Sequence, residues 1–367
     1  MKHLITCFVF SFCSFVSFGQ IDGPYVFYRN DQVIVQKILS GNVSMDSFPE
    51  ADKTSHNINI AVDGHSGWSF TVSLKRNLVS NNSIVSGGRK TLFLSDIEGE
   101  FAAFHDLLIA NKVIDEKYNW TFGNGRLVIA GDLFDRGKQV TQYLWLLYKL
   151  EDEAALKGGA VEVVLGNHDI MNLSGDFRYV DSMYFSNAAM LGHYYADLYG
   201  RNTELGRWLR SKNIIEKIGD VLVLHGGLSP AVVASAWSLQ RINTSCRPFF
   251  DAGRKNIPDS LKPFFGKEAP FWYRGYFLEP KTTMAGIDST LLLYDCKKIV
   301  VGHTIVDRNI AMYYKGKVIG IDVDEHKGNR FGLLLQNGKY YIVDDKGNRN
   351  LLLYKEGNDD IKESQVL

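Results

Sequence analysis

The sequence carries no excess of either charge, since 41 Lys and Arg are matched by 41 Asp and Glu. No basic stripe is present to follow a nucleic-acid backbone or an anionic membrane, so nuclease action is the least favoured activity. Cysteine is scarce: of the four, Cys7 and Cys13 fall near the start and only Cys246 and Cys296 lie in the body of the chain. Neither has a CxxC partner or an adjacent histidine, which excludes a zinc knuckle. After the first nineteen residues no run approaches the twenty apolar residues that a membrane-spanning helix needs. Internal repeats and low-complexity tracts are missing too, so solenoids and disordered scaffolds are set aside.

What remains is the composition of a globular protein, 45% apolar, 22% charged and somewhat rich in aromatics at 13%. A chain of 367 residues suits one large domain or two smaller ones. Residues 1–19 have Lys2, an apolar stretch to about Val16, and Ser17-Phe18-Gly19 ahead of Gln20, the pattern of a secretory signal. The expectation is an exported protein, periplasmic or secreted. Cys13 has no lipidation context, which favours a soluble protein over a lipoprotein. In an oxidising compartment Cys246 and Cys296 could form one disulfide, and the sequence leaves open whether they meet.

Residues 20–88 read as a β-rich module of hairpins, with turns at Arg29-Asn30-Asp31 and around Asp63-Gly64 and Ser66-Gly67. His56 and His65 are expected to be turn residues there. From 89 to 355 strands and helices alternate, and the polar residues collect where strands end. TLFLS runs into Asp96-Ile97-Glu98-Gly99. Extended geometry would aim Asp96 and Glu98 to one side and Ile97 to the other. RLVIA (126–130) opens on Gly131-Asp132-Leu133-Phe134-Asp135-Arg136-Gly137, and VEVVL (161–165) on Gly166-Asn167-His168-Asp169. VLVL (221–224) leads into His225-Gly226-Gly227, and KIVV (298–301) into Gly302-His303-Thr304. The stretch 170–220 looks helical and aromatic, with His193 structural. A hairpin turning at Asn337-Gly338 closes the sheet, and 356–367 is a polar tail.

Five strand ends therefore deliver Asp96 with Glu98, Asp132, Asn167, His225 and His303. Carboxylates, an amide oxygen and imidazoles suit Mn²⁺, Fe²⁺, Zn²⁺ or Mg²⁺ rather than copper or iron–sulfur clusters. One shared carboxylate could hold two such ions about 3.5–4 Å apart, with a hydroxide bridging them as nucleophile. A single histidine at a strand end is usually a buried structural residue; five glycine-flanked motifs in register with five strands are not.

In their order, GDLFDRG, GNHD, HGG and GHT resemble the calcineurin-like metallophosphoesterases, and the DRG and GHT elements, with no second histidine directly after His303-Thr304, resemble the phosphoprotein phosphatase branch. Trp272-Tyr273-Arg274-Gly275 is further similar to Shewanella-like bacterial protein phosphatases. The match covers about 91–325 and leaves 20–88 outside it. The resemblance implies an α/β sandwich of two mixed sheets flanked by helices, here with an N-terminal β-rich addition. It implies that Asp96 and residue 98 bind a first metal, that Asp132 bridges two, and that Asn167, His225 and His303 bind the second. His168 would then be the general acid, oriented by Asp135, while Arg136, Arg274 and Asn167 would face the phosphate; Asp169 is expected to support the site rather than ligate. The implied reaction is hydrolysis of phosphate monoesters on a small molecule or a phosphoprotein. The alternatives are a nucleotide or diadenosine polyphosphate hydrolase, and an inactive metal-binding scaffold, against which the intact His168, Asp135 and Arg136 weigh. The departure is Glu98, where the family pattern Asp-x-His becomes Asp-x-Glu. A carboxylate there makes the first site harder, favouring Mn²⁺ or Mg²⁺ over Zn²⁺; the other outcome is a weakened first site.

Overall fold

The computed structural model describes residues 20–253 and 256–366; the expected signal segment 1–19 lies outside them. The chain opens with an antiparallel trio, β1 (Asp22–Arg29), β2 (Gln32–Leu39) and β3 (Asn42–Pro49), and a hairpin of β4 (Asn57–Ala61) and β5 (Ser69–Ser73). The β1–β2 turn is Asn30-Asp31, both at positive φ (49° and 58°), the geometry that keeps a two-residue hairpin in line with strand twist. The next strand, β6 (Ile84–Val85), pairs parallel with a strand of the following α/β region, so the β-rich addition runs directly into it.

Two six-stranded mixed sheets form the centre. One contains β7 (Thr91–Leu94), β8 (Arg126–Ala130) and β9 (Ala160–Val164); the other contains β10 (Ile215–Ile218), β11 (Val221–Leu224), β12 (Lys298–Val301), β13 (Ala311–Tyr313) and β14 (Val318–Gly320), with β6 at its edge. β15 (Phe331–Gln336), β16 (Lys339–Asp344) and β17 (Arg349–Leu351) complete the first sheet by pairing β15 against β7. The short parallel strands are mostly apolar because both faces are covered, with Arg126 of β8 and Glu162 of β9 paired at 3.5 Å as buried exceptions. In β8, Val128 and Ala130 meet Val221, Val223, Val300 and Ile319 between the sheets, while Leu127 and Ile129 join the helix-side core.

Helix α1 (Phe101–Ala110) follows β7, α2 (Val140–Leu156) follows β8, and α3 (Asn167–Ser174) follows β9. The aromatic stretch becomes α4 (Ser182–Met190), α5 (Tyr195–Leu198) and α6 (Glu204–Arg210), and α7 (Pro230–Ala234), α8 (Leu239–Cys246) and α9 (Met284–Leu293) cover the second sheet. α7 starts as its sequence predicts, with Ser229 capping and Pro230 in the first turn. Among the described residues, no helix is long and apolar enough to cross a membrane.

The N-terminal trio is bound into the same core. Trp145 of α2 donates its indole N–H to the Pro24 carbonyl at 2.8 Å, and the buried Glu204 carboxylate accepts from Tyr28 and from Tyr148, each at 2.5 Å. His56 and His65 stack on Phe48 and Trp68, ring to ring at 3.9 and 4.2 Å. His193 stacks on Phe27 and hydrogen-bonds Gln36, a structural contact. Cys246 and Cys296 are both free thiols, so the open question of a disulfide is answered in the negative.

Candidate metal centre

The carboxyl ends of β7, β8 and β9 meet those of β11 and β12 at one edge of the sandwich. The approach is close enough to require glycine. A Cβ on Gly302 would sit 1.9 Å from Ser95 Oγ and 2.3 Å from Asp96 Oδ2, and one on Gly166 would sit 2.1 Å from Asp132 Oδ1. The glycine flanks in the sequence are thus where two strand ends share space.

Asp96 and Glu98 reach this point by a different route from the one extended geometry predicts. β7 stops at Leu94, and Asp96 (φ 55°) and Glu98 (φ 45°) are left-handed, as are Asp132 (55°), Asp135 (78°), Arg136 (52°) and His303 (65°). Strand alternation is therefore corrected: a loop of strained residues presents both carboxylates. Each such residue costs roughly 1–3 kcal/mol and persists only where its surroundings enforce it. The enforcement is visible, since the Asp96 N–H donates to Gly131 O and the Glu98 N–H to Asp132 O, both at 3.1 Å, locking one loop to the next.

Asp132 lies at the centre. Its Oδ1 accepts the His168 backbone N–H at 2.9 Å, and its Oδ2 is 3.0 Å from His225 Nε2. His225 donates Nδ1–H to Ala130 O at 2.7 Å, which leaves Nε2 facing Asp132 and, at 3.1 Å, Asn167 Oδ1. His303 uses Nε2 on Trp272 O at 3.1 Å. Side-chain donor atoms of Asp132, His225 and His303 lie within 4.8 Å of one another, as do those of Glu98, Asp132 and His168. Asp96 Oδ2 accepts from Ser95 Oγ at 2.5 Å and from the His303 N–H at 3.1 Å.

Two further predicted residues stand just behind. His168 Nδ1–H donates to Asp135 Oδ2 at 2.5 Å, and Asp135 Oδ1 accepts from Asn172 Nδ2 at 2.8 Å. Tyr195 OH in turn holds Asn172 Oδ1 at 2.8 Å. This leaves His168 Nε2 turned toward Glu98 and Asp132, at 3.7 and 3.9 Å. Asp169 accepts three backbone N–H bonds, from Leu133, Phe134 and Gly166, and so scaffolds the loops as expected. Burial, with Asp132 nearby, pushes its carboxyl up to about 7.

A cavity of about 320 Å³ opens over Asp96, Glu98, Asp132, His168 and His303. Arg136, half exposed at the rim, pairs with Glu98, and Arg274 reaches in with Nη1 at 3.4 Å from Thr304. Asn167, His225 and Asp135 lie beneath the floor, so all ten residues named from the sequence converge here. The sequence did not single out Asp322, Glu325 or His326, which follow β14 and line the same cavity.

The electrostatics fit bound cations. Burial opposes ionisation of Asp132, but His225 and His168 outweigh it and hold the carboxyl below its usual range. Burial likewise disfavours a charged His225, yet Asp132 and Asp96 raise it to about 10. Asp96, Asp322 and Glu325 are all shifted upward, first by burial; Asp132 then adds to the rise of Asp96, Asp96 to that of Asp322, and Glu100, Asp322 and Asp96 to that of Glu325 against the opposing charge of Arg330. Glu325 Oε1 is buried without a hydrogen-bond partner. So many buried acids in one place are destabilising unless cations neutralise them. Hard oxygen and imidazole donors are the set that divalent ions accept.

Comparisons agree with this geometry. Shewanella-like protein phosphatase 1 of Plasmodium berghei is 31% identical over 225 residues, covering 59% of this chain and 61% of that protein. The symmetrical bis(5'-nucleosyl)-tetraphosphatase of Buchnera aphidicola is 28% identical over 188 residues, 50% of this chain and 59% of that one. The solved structure of a cold-active protein-tyrosine phosphatase from a psychrophilic Shewanella superposes with a TM-score of 0.83 at 34% identity, over 91% of this chain and 100% of that one. A sequence model for calcineurin-like phosphoesterases matches residues 89–307, the span that holds all five strand-end motifs. On that match, and on a two-sheet sandwich that gathers the motifs at one edge, the chain belongs to the calcineurin-like phosphoesterase family.

Proposed function

We propose that this metal-dependent phosphatase hydrolyses phosphate monoesters, with phosphoproteins as its substrate class. The observation that carries the reading is the pairing of a buried carboxylate–imidazole cluster with two arginines over one small cavity. Two divalent cations, held by Asp96, Glu98, Asp132, Asn167, His225 and His303, would neutralise phosphoryl charge and acidify water; the carboxylate at 98 favours Mn²⁺, with Fe²⁺, Zn²⁺ and Mg²⁺ as alternatives. Arg136 and Arg274 would orient the phosphate oxygens, for which planar guanidinium forks are suited. Arg136 would leave Glu98 for the substrate, a short swing for a side chain 47% exposed. His168, doubly protonated beside Asp132 and Asp135, would pass its Nε2 proton to the leaving oxygen while the Asp135 carboxylate accepts Nδ1–H and stabilises the charged ring.

The likeness to a nucleoside tetraphosphatase supports a second reading, hydrolysis of nucleotide polyphosphates. Against it, no Phe, Tyr or Trp lines the cavity itself, and the exposed Tyr179 ring beside His168 and Arg136 stands outside that lining. Residues 1–19 as an export signal, with a periplasmic or secreted chain starting at Gln20, belong to the same proposal; mass spectrometry of the mature protein tests them.

The deciding measurement is hydrolysis of an aryl phosphate by the wild type and by Asp132→Asn, beside a panel of phosphopeptides and nucleotides. Activity that Asp132→Asn leaves intact would overturn the site. Preference for dinucleoside polyphosphates over phosphopeptides would overturn the substrate class.

A further inference from the structure

The loop after β14 brings an imidazole to the position where the Asp-x-Glu motif lacks one. His326 sits on the short helical turn Glu325–Lys327, framed by Asp324 (φ 59°) and Gly328 (φ 85°), which folds back over the end of β7. Its Nε2 is in direct contact with Glu98 Oε2, and its Nδ1 lies 3.4 Å from Glu100 Oε1. The side chain is 18% exposed, against 1% for Glu98, so the ring closes over the carboxylate from the cavity side.

These two contacts decide what the ring can do. A neutral imidazole that donates Nδ1–H to Glu100 turns the lone pair of Nε2 toward Glu98 Oε2. Two acceptors facing each other in a buried site repel unless something positive lies between them. A proton can play that part, and so can a metal ion. A carboxylate on the far nitrogen is the arrangement that fixes the tautomer of metal-binding histidines and raises their basicity. The second observation is Glu325, adjacent in sequence, lining the same cavity and 4% exposed, with Oε1 lacking any partner. An orphaned carboxylate oxygen of that kind is costly, by about 1–3 kcal/mol or more, and calls for a proton, a water or a cation beside it.

We propose that His326 is a ligand of the first metal ion, beside Asp96, Glu98 and Asp132, so that the imidazole missing at position 98 is supplied from 326. The inference rests on the two-metal reading above and adds a ligand that none of the strand-end motifs contains. The first site is then a mixed carboxylate–imidazole site, and substitution at 326 acts on that ion while the ion held by Asn167, His225 and His303 stays.

The test uses the full-length protein loaded with Co²⁺, comparing wild type, His326→Ala and His326→Gln. Metal content, binding isotherms, visible absorption and the hyperfine-shifted imidazole N–H resonances are recorded. The expected result is loss of affinity for one ion by about 10–100-fold, the range typical of a perturbed ligand set. One shifted imidazole N–H should also disappear, and the absorption bands should move. Melting of the metal-free proteins should change far less than metal affinity does, because His326 lines the cavity wall on a short turn rather than the apolar core. Two ions bound as in the wild type would overturn the proposal. So would weakened affinity with the full set of shifted imidazole resonances, since that outcome makes His326 an outer contact of Glu98. Failure of the wild type to bind two ions or to hydrolyse phosphate esters would count against the function itself; wild-type success with unaltered variants would sink this inference alone.

Discussion

Replacing Asp135 by Asn tests the role of His168 without touching a metal ligand. Asp135 is fully buried, accepts the His168 Nδ1–H at 2.5 Å, and is itself held by Asn172 at 2.8 Å. Asparagine fills the same volume but carries no charge, so the doubly protonated ring that can give up its Nε2 proton loses a stabilising partner, and an amide N–H turned toward Nδ1 disfavours it further. Proton transfer by a positioned acid is worth about 10²–10⁴ in rate, or about 2.7–5.4 kcal/mol at 1.36 kcal/mol per decade. That loss falls on substrates whose leaving group needs the proton. A p-nitrophenolate departs without it; the alkoxide of a serine phosphate does not. Asp135→Asn should therefore cut kcat on a phosphoserine peptide by about 10²–10³ while lowering it on p-nitrophenyl phosphate by less than about tenfold. KM for both should move little, because the arginines are untouched. Equal losses on the two substrates would refute the acid–base assignment and make the pair a structural prop.

Other substitutions probe the frame around the site. Gly302→Ala drives a methyl group into Ser95 and Asp96 and should cost about 1–3 kcal/mol of stability together with at least one bound ion, read by melting and metal analysis. Glu204→Ala removes the shared acceptor of Tyr28 and Tyr148, leaving two buried hydroxyls unpaired. A loss of roughly 3–5 kcal/mol in chemical denaturation is expected, with unchanged activity in the folded protein. Burial pushes the Cys246 thiol up to about 12 and the Cys296 thiol up to about 11. At pH 8 the thiolate fraction is then on the order of one part in a thousand or less. Both thiols should react with an aromatic disulfide reagent slowly in the native protein and at once in denaturant; a rapid native reaction would contradict the packing.

The part of the site legible in the sequence was the part written on strand ends. Asp132, Asn167, His225 and His303 each follow a short apolar strand directly, so their place in the sheet fixes their place in space, and the glycines beside them mark where neighbouring strand ends touch. Asp96 and Glu98 were found for a reason that the backbone does not follow. They share the site because two left-handed residues turn the loop, a feature that period-two alternation cannot express. The helices of 170–220 were visible as a class, but the continuation of the expected His168–Asp135 pair through Asn172 to Tyr195 was not, since it joins α3 to α5 through side chains alone.

His326 was hidden for a related reason. It follows β14 by six residues, on a turn with no strand or glycine motif to tie it to the sheet edge, and its partner Glu98 is 228 positions away. A motif reading registers Glu98 as a missing histidine, because it compares one position with one position. Coordination imposes no such rule: an ion requires donors at the right distance, from whichever loop can bring them. The carboxylate at 98 comes from the loop after β7, and a ring from the opposite wall would complete the proposed ligand set only if its far nitrogen were held, a part for which Glu100, 3.4 Å from His326 Nδ1, is placed. Glu98, Glu100 and His326 are in this sense one unit. Glu100→Gln should therefore weaken the first ion's binding in the same direction as loss of His326 but by less, and combining the two substitutions should cost little beyond His326→Ala alone, a non-additivity that independent surface residues would not show.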